Sequence, residues 1–272
     1  MEISWFQRQW DAVSDFWGGD EFSIHVYGTF GVTALAYWGL GGIFLILDYL
    51  GPPPFLMRYK VQENVKTYPI SREQLVDLLK VVGFNQLLIL PFAAVKYWWE
   101  EWRGVVRPQE LPSLTSAILH LAVFALATEV FFYYSHRLLH HPLIYKSIHK
   151  KHHTWISPIA FAAAYCHPVE HIVSNVFPLA VGALLLNSHI ALLWVYAVIG
   201  TFETLTVHSG FHLPFLKSPE FHDFHHLKFN YNYGVVGLMD WIHGTDSLFR
   251  TSKQFLRDKR LWSMTPIKAV VP

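Results

Sequence analysis

Five long apolar stretches follow one another along the chain and determine its predicted architecture. They cover residues 27–50, 75–99, 114–134, 172–186 and 189–207. A helix of about 20 apolar residues crosses the ~30 Å hydrocarbon core of a bilayer, so 27–50 and 114–134 predict membrane spans. The last two stretches meet at Asn187-Ser188 and predict a helical hairpin that returns the chain to the side it left.

The 75–99 stretch is less regular than the others. Asp77, Lys80, Asn85 and Gln86 interrupt it, which leaves a tilted span and an interfacial helix as alternatives. Together the five stretches predict an all-α integral membrane bundle of about four to five transmembrane helices. The segments that follow the third and fifth stretches predict a cytosolic helical cap.

Composition supports contact with lipid and excludes several other classes of protein. Only 15% of the residues are charged and 52% are hydrophobic, whereas soluble domains carry about 25% charged residues. The net charge of +1, from 21 basic and 20 acidic residues, gives no basic field for nucleic acid. Cys166 is the single cysteine, which excludes an intrachain disulfide and a cysteine-based zinc or iron–sulfur site.

Histidine is strongly concentrated in one part of the sequence. Fourteen of the 17 histidines lie between His136 and His226. Ten of them form two His-x3-His pairs and two His-x2-His-His clusters, at 136/140, 208/212, 149/152/153 and 222/225/226. Positions i, i+3 and i+4 share one face of a helix, and imidazole suits iron, zinc, copper or nickel. Ten ligands exceed the needs of one ion, so the pattern predicts two ions with four or five ligands each.

The alternative reading is a set of interfacial polar residues or a nonspecific metal-binding surface. Four clusters with two alternating spacings on one predicted face disfavour it, because each unpaired buried polar group costs about 1–3 kcal/mol. Neutral nitrogen ligands leave a metal cationic with open positions for oxygen, which favours redox iron. The number of imidazoles alone leaves zinc open.

Topology and charge predict which face carries the histidines. The hairpin brings residues 136–153 and 208–226 to the same side of the membrane. Loops 51–74, 136–171 and 208–272 on that side hold 4, 4 and 8 Lys/Arg residues, against Arg8, Lys96, Arg103 and Arg107 on the other. The positive-inside rule then places the metal site in the cytosol. The side of the N-terminus depends on whether 75–99 crosses.

Four sequence blocks carry a resemblance to a known family. They are Ser135–His141, Ile148–His153, His208–His212 and Glu220–His226, and together they resemble the fatty acid hydroxylase superfamily, which includes sterol C4-methyl oxidases and sterol C5-desaturases. Ala164–Pro168 and Met239–Asp246 are most similar to the C4-methylsterol oxidase branch and to the animal proteins named only as fatty acid hydroxylase domain-containing. The resemblance covers roughly residues 110–250.

The resemblance implies a membrane-bound non-haem di-iron monooxygenase of the endoplasmic reticulum, with electrons from cytochrome b5 and its reductase. Zinc could replace iron in purified material. The implied metal ligands are His136, His140, His149, His152, His153, His208, His212, His222, His225 and His226. Some sterol oxidases have an acidic residue where His212 stands, so this position departs from part of the family.

Three further residues are expected beside the metal ions. His167, Glu170 and His171 are interpreted as hydrogen-bond partners of the ligands or as substrate-facing residues. Ligating histidines usually donate their second N–H to a carboxylate or a carbonyl, and Asp223, Asp240 and Glu129 are candidates for that role. We interpret residues 1–272 as one membrane domain, with N-terminal membrane helices and loops in 1–110, the histidine-box catalytic core in 111–250 and a C-terminal tail in 251–272.

Several functions remain open at this point. Hydroxylation or methyl oxidation of a sterol is the first expectation, fatty-acyl or sphingolipid hydroxylation the second and desaturation the third. A catalytically silent regulatory member of the family is a further alternative. A metal transporter is disfavoured because transporters place their ligands near the bilayer midplane, whereas these histidines follow the ends of spans. A basic face at Lys146, Lys150, Lys151 and Lys228 could receive an acidic electron donor.

Overall fold

The fold is built from helices along the part of the chain that the structure describes. This structure is a computed structural model, and it describes residues 4–62 and 69–272. Lys66, which contributes to the loop charge, lies outside the described residues. Within them, extended pairing is limited to an isolated antiparallel bridge between Lys60 and Phe211. The all-α expectation is confirmed.

Seven helices of nine or more residues form the frame. They are α1 (Trp5–Phe16), α2 (Glu21–Leu50), α3 (Arg72–Trp102), α4 (Leu114–Leu139), α5 (Pro168–Leu186), α6 (Ile190–His208) and α7 (Glu220–Lys228). Helices α2 to α6 are long and apolar enough to cross a membrane. Shorter helices lie at Pro54–Met57, Pro142–Tyr145, His149–Thr154, Ala160–Ala164, Leu238–His243, Ser247–Arg250, Lys253–Arg257 and Ile267–Val270.

Helix α3 contains the ambiguous 75–99 stretch and is long and apolar enough to cross a membrane. It extends over 31 residues with a turn at Leu88, and a capping box between Ser71 and Gln74 begins it. Its polar interruptions are explained by contacts inside the bundle. Asn85 is fully buried and donates to the carbonyls of Ala164 (2.9 Å) and Cys166 (3.0 Å). Polar residues inside a membrane protein face the bundle interior in this way.

The α5–α6 turn and the histidines lie at opposite ends of the bundle. The α5–α6 turn is made by Asn187, whose φ of 46° is left-handed, and by His189, which caps α6. This confirms the predicted hairpin. Helix α1 packs near the turn, with the rings of Trp10 and His189 4.6 Å apart. The C-terminal ends of α4 and α6 therefore point to the opposite end, which carries the histidines.

Helices α4 and α5 pack closely at Gly182. A Cβ atom added there would lie 2.6 Å from the Cα of Phe124. Membrane helices associate largely through such close packing of small residues, since the hydrophobic effect does not drive helices together within lipid. The α4–α5 contact in turn positions the last turn of α4, which carries His136.

Replacing Gly182 with alanine is therefore expected to destabilise the protein by about 1–3 kcal/mol, because the backbone of α4 must move. Gly42→Ala in α2 is the matched control, since nothing lies within 4 Å of its added Cβ. The measurement is thermal unfolding in detergent. Equal melting temperatures for the two variants would contradict this account of the packing.

Candidate metal centre

Four separate segments bring histidines to one end of the bundle. They are the last turn of α4, the 3-10 helix His149–Thr154, the last residue of α6 and helix α7. Only one long helix, α5, lies between α4 and α6 in the described chain, so α4 and α6 run in the same direction. Their C-terminal ends therefore lie at the same end of the bundle, where segments distant in sequence meet. The buried 3-10 helix Ala160–Ala164, held by the Tyr37 hydroxyl, packs beside the cluster.

Nine of the ten predicted ligands form two groups. The five-histidine group contains His136, His140, His149, His153 and His225. The four-histidine group contains His152, His208, His222 and His226. Within each group one ring nitrogen of every residue lies within 4.8 Å of all the others. Two groups of this size match the expectation of two ions with four or five ligands each.

The histidine clusters are divided between the two groups. On α7, His222 and His226 join the four-histidine group, whereas His225 joins the other. A helix advances about 100° per residue, so positions i and i+4 lie about 40° apart and position i+3 points to the other side of residue i. The segment with His149, His152 and His153 divides in the same way. Each of these clusters therefore bridges the two groups.

Backbone carbonyls fix the tautomer of four of these rings. A carbonyl oxygen can only accept, so each Nδ1 must carry the proton and each Nε2 a lone pair. Metal-binding histidines are commonly oriented by such a second hydrogen bond. The pairs are His136 with Tyr233 (2.7 Å), His225 with Tyr231 (2.7 Å), His208 with Thr204 (2.8 Å) and His226 with Trp155 (3.1 Å).

The Nε2 atoms converge at short distances from one another. That of His149 lies 3.1, 2.9 and 3.0 Å from those of His136, His140 and His153. In the four-histidine group, His222 lies 2.9 Å from His208 and 3.0 Å from His226, again between Nε2 atoms. Lone pairs that face each other at these distances repel. The donor set therefore fits a cation at the centre of each group.

Burial keeps these imidazoles neutral. For the seven that lie beyond the ends of the spans, desolvation lowers the pKa, and in all of them the neighbouring histidines lower the pKa further. These are His140, His149, His152, His153, His222, His225 and His226. A metal ligand must be deprotonated, so this environment prepares the rings to bind a cation at neutral pH.

Glu170, one of the three residues expected beside the ions, directly contacts a histidine of the five-histidine group. Its Oε1 lies 2.9 Å from the Nδ1 of His149, and both side chains are buried. His171 lies next to it and is 4% exposed. His167 instead caps the start of α5 by accepting from the backbone N–H of Val169 at 3.2 Å. The structure thus places Glu170 and His171 beside the groups and gives His167 a capping contact.

His212 lies outside both groups. Helix α6 ends at His208, and Gly210, with a φ of 68°, turns the chain away. The spacing of four residues therefore does not place His208 and His212 on one helical face. The Nε2 of His212 lies 2.8 Å from the carbonyl of Lys259, and its Nδ1 lies 3.6 Å from Glu220. The ring links the C-terminal segment to the start of α7.

Replacing His212 with alanine is accordingly expected to leave the metal content unchanged. The lost hydrogen bond and the buried Glu220 should lower stability by about 1–3 kcal/mol. His208→Ala, in the four-histidine group, is the contrasting variant and should lose metal. Metal-to-protein ratios and melting temperatures measure the two effects. A loss of metal from His212→Ala as large as that from His208→Ala would restore His212 as a ligand.

The other acidic candidates, Glu129, Asp240 and Asp223, accept hydrogen bonds from groups other than the histidine rings. Glu129 accepts from the N–H groups of Val235 (2.8 Å), Val236 (2.9 Å) and Met239 (3.1 Å). Asp240 accepts from Tyr233 and Gly234 at 2.8 and 2.7 Å. These bonds fix the loop whose Tyr233 carbonyl orients His136. Asp223 accepts from Gln62 at 3.0 Å. Sequence reasoning missed the orienting carbonyls, because backbone groups leave no signal in residue type.

A cavity of about 470 Å³ extends from the histidines into the membrane-spanning part of the bundle. Its lining includes His136, His152 and His208 at one end and His25 and Lys96 at the other. Along α6 it follows residues 193–208, which corresponds to about 22 Å of helix. Its walls are mostly apolar, and its volume suits a ligand of lipid size.

Comparison with known proteins agrees with this arrangement. A fatty acid hydroxylase family model matches residues 121–245. The human fatty acid hydroxylase domain-containing protein 2 is 41% identical over 98% of this chain and 80% of its own length. Fatty acid hydroxylase ahd1 of Mycosarcoma maydis is 37% identical over 85% of this chain and 60% of its own length. Methylsterol monooxygenase 1 of Gallus gallus is 31% identical over 94% and 88%.

No solved structure matches the chain. Both histidine groups lie within the matched region, and the human relative matches 98% of this chain. The protein is a multi-pass membrane protein, and it belongs to the fatty acid hydroxylase family.

Proposed function

We propose that this chain is a non-haem di-iron monooxygenase that hydroxylates a sterol, in the manner of a C4-methylsterol oxidase. The observation that carries this proposal is the opening of the two histidine groups onto a lipid-sized cavity at membrane depth. A soluble substrate would have no reason to enter a site that is reached through apolar walls. A lipid can present one carbon to the metal centre while its body stays among apolar side chains.

The number of imidazole ligands supports iron over zinc. Structural zinc sites are tetrahedral with four ligands, whereas the five-histidine group offers five imidazoles and suits an ion of higher coordination number. When bound, two irons would supply the activation of O2.

The protein's own residues would position the ions and the substrate and exclude water. The four backbone carbonyls hold their rings so that the lone pairs face inward, and Glu170 lies against the ring of His149. The bundle walls keep bulk water from the reacting carbon, which protects reactive intermediates from side reactions. No side chain is required to act as a nucleophile in this reaction.

The reaction needs an external reductant. One oxygen atom of O2 enters a C–H bond of the substrate and the other leaves as water, which consumes two electrons and two protons. We propose cytochrome b5 and its reductase as the donors, on the cytosolic face of the endoplasmic reticulum. Lys146, Lys150 and Lys228 are exposed at the end of the bundle that carries the histidines, where a basic surface would steer an acidic partner.

Fatty-acyl or sphingolipid hydroxylation is the second candidate. The identity to Fatty acid hydroxylase ahd1 favours it, although this chain covers only 60% of that protein. The match to Methylsterol monooxygenase 1 extends over 88% of that relative's length and favours the sterol.

The test is turnover by the purified, iron-loaded protein in lipid nanodiscs with cytochrome b5, its reductase, NADH and ¹⁸O2. A 4-methylsterol and a ceramide are offered separately. The expected product is an oxidised sterol with one ¹⁸O atom in its newly formed hydroxyl group. A hydroxylated ceramide with unreacted sterol would reject the sterol in favour of the second candidate, and unlabelled product oxygen would reject the monooxygenase chemistry.

A further inference from the structure

The polar side chains that line the cavity differ in whether they have partners. Tyr37 donates to the carbonyl of Phe161 at 2.9 Å, and Thr33 donates to the carbonyl of Thr29 at 2.7 Å. Thr128 donates to the carbonyl of Pro178 at 3.0 Å. These residues use their polar atoms within the bundle and leave an apolar surface toward the cavity.

Outside the histidine groups, five lining residues do not follow this pattern: His25 at the remote end, and Glu170, Gln86, His171 and Ser174 toward the metal centre. The Oε1 of Gln86, the Nε2 of His171 and the Oγ of Ser174 have no hydrogen-bond partner among residues 4–62 and 69–272. The side chains are well buried, with exposed fractions of 5%, 4% and 2%. All three line the cavity. Buried polar atoms without partners are rare in folded proteins and call for an explanation such as a ligand.

The local backbone is unusual where two of these residues lie. His171–Val176 forms a π-helical segment within α5, and such segments are frequent at functional sites because they change the direction of side chains. Asn175, in the same segment, lies 3.5 Å from the Nδ1 of His171 and 3.7 Å from the sulfur of Cys166. Asn85, next to Gln86, donates to the carbonyl of Cys166 at 3.0 Å. Cys166 thus ties the two segments together.

The same place adjoins the five-histidine group. Glu170 precedes His171 directly and contacts His149 through Oε1, while its Oε2 has no hydrogen-bond partner in the described part of the chain. A polar group bound by Gln86, His171 and Ser174 would therefore lie beside the metal centre. It would lie far from His25 and Lys96 at the other end of the cavity.

We propose that Gln86, His171 and Ser174 form a subsite for a neutral hydroxyl group of the lipid substrate. A hydroxyl both donates and accepts, which matches an amide oxygen, an imidazole nitrogen and a serine hydroxyl. An anionic headgroup is disfavoured, because no cationic side chain of the described residues lies beside these three and the lining lysine Lys96, at the other end of the cavity, is paired with Glu100. This proposal depends on the proposed function, because it names the chemical group by which the site would recognise that substrate.

This subsite determines the direction of the lipid in the cavity. With its hydroxyl beside the five-histidine group, the substrate presents a carbon close to that hydroxyl for oxidation. In a 4-methylsterol the reacting methyl is attached to the ring carbon next to the one that carries the hydroxyl, so the substrate's geometry matches. The apolar remainder then extends along α6 toward His25.

The test is equilibrium binding to the zinc-loaded protein, so that it does not depend on turnover. The probes are a radiolabelled 4-methylsterol and its 3-deoxy analogue, together with a long-chain amino alcohol and its deoxy analogue. We expect the wild-type protein to bind the sterol alcohol at least about tenfold more tightly than its deoxy analogue, because the analogue leaves the subsite unpaired. Ser174→Ala and His171→Phe should remove that preference and leave affinity for the deoxy analogue intact.

Thr33→Val, whose hydroxyl bonds within its own helix, is the matched control and should keep the preference. Loss of the preference in His25→Phe but not in His171→Phe would place the hydroxyl at the remote end and overturn the proposal. Equal binding of alcohol and deoxy analogue in both probe pairs would also overturn it. A preference confined to the amino alcohol would support the subsite while rejecting the sterol as substrate.

Discussion

Replacing His149 with alanine is expected to empty the five-histidine group and to lower turnover more than about 100-fold. This loss exceeds the one that is typical when a hydrogen-bond partner of a metal ligand is removed. Its Nε2 lies within 3.1 Å of three other ring nitrogens, so it is the central donor of that group. The variant also leaves Glu170 buried without its imidazole partner. Metal content and product formation are measured together.

His141→Ala is the matched control for this prediction. His141 follows His140 directly, but it is exposed, and its Nδ1 accepts from the N–H of Leu143. It should keep both metal and activity. If His149→Ala retained its metal while folding normally, as judged by its melting temperature, the five-histidine group would not be a metal site.

Glu129→Ala is expected to produce the largest loss of stability. The carboxylate is 2% exposed and accepts three backbone hydrogen bonds from the 235–239 segment. Since each buried N–H left unpaired costs about 1–3 kcal/mol, removal of the acceptor should cost at least about 3 kcal/mol. Displacement of this segment should also move the Tyr233 carbonyl away from His136 and weaken metal binding.

Glu129→Gln separates the effect of shape from that of charge. The amide keeps one acceptor oxygen but turns N–H groups toward the remaining donors, so its stability should lie between those of the wild type and Glu129→Ala. Glu110→Ala, at an exposed position, is the control and should melt like the wild type. Thermal unfolding and metal content are the measurements. A Glu129→Ala protein as stable as Glu110→Ala would refute this role.

The sequence predicted much of the metal centre because its donors are side chains with a distinctive spacing. The clusters around His136, His149 and His222 predicted three of the segments that contribute to the two histidine groups, and the hairpin at Asn187 explained how they meet. The division of each His-x2-His-His cluster between two groups could be seen only in the three-dimensional structure. The spacing of His212 suggested a helical pair with His208, but one glycine at 210 breaks the helix and removes that relation.

The parts that the sequence left open depend on partners distant along the chain. Asn85 and Gln86 left the 75–99 stretch open between a tilted span and an interfacial helix, since residue type does not reveal that a neighbouring segment offers carbonyls at 164 and 166. Glu129 and Asp240 were candidates for contact with imidazoles, whereas they bind backbone N–H groups of one loop. A carboxylate suits either partner, so only the fold distinguishes them.

The metal content per chain tests the central claim most directly. Protein purified from iron-supplemented cells is assayed by mass spectrometry of its metals and by amino-acid analysis, for the wild type, His149→Ala and His208→Ala. We expect two ions per chain in the wild type and a loss in each variant, because each removes a donor from a different group. One ion or none in the folded wild type, or two ions retained in both variants, would contradict a centre in which nine histidines hold a metal pair.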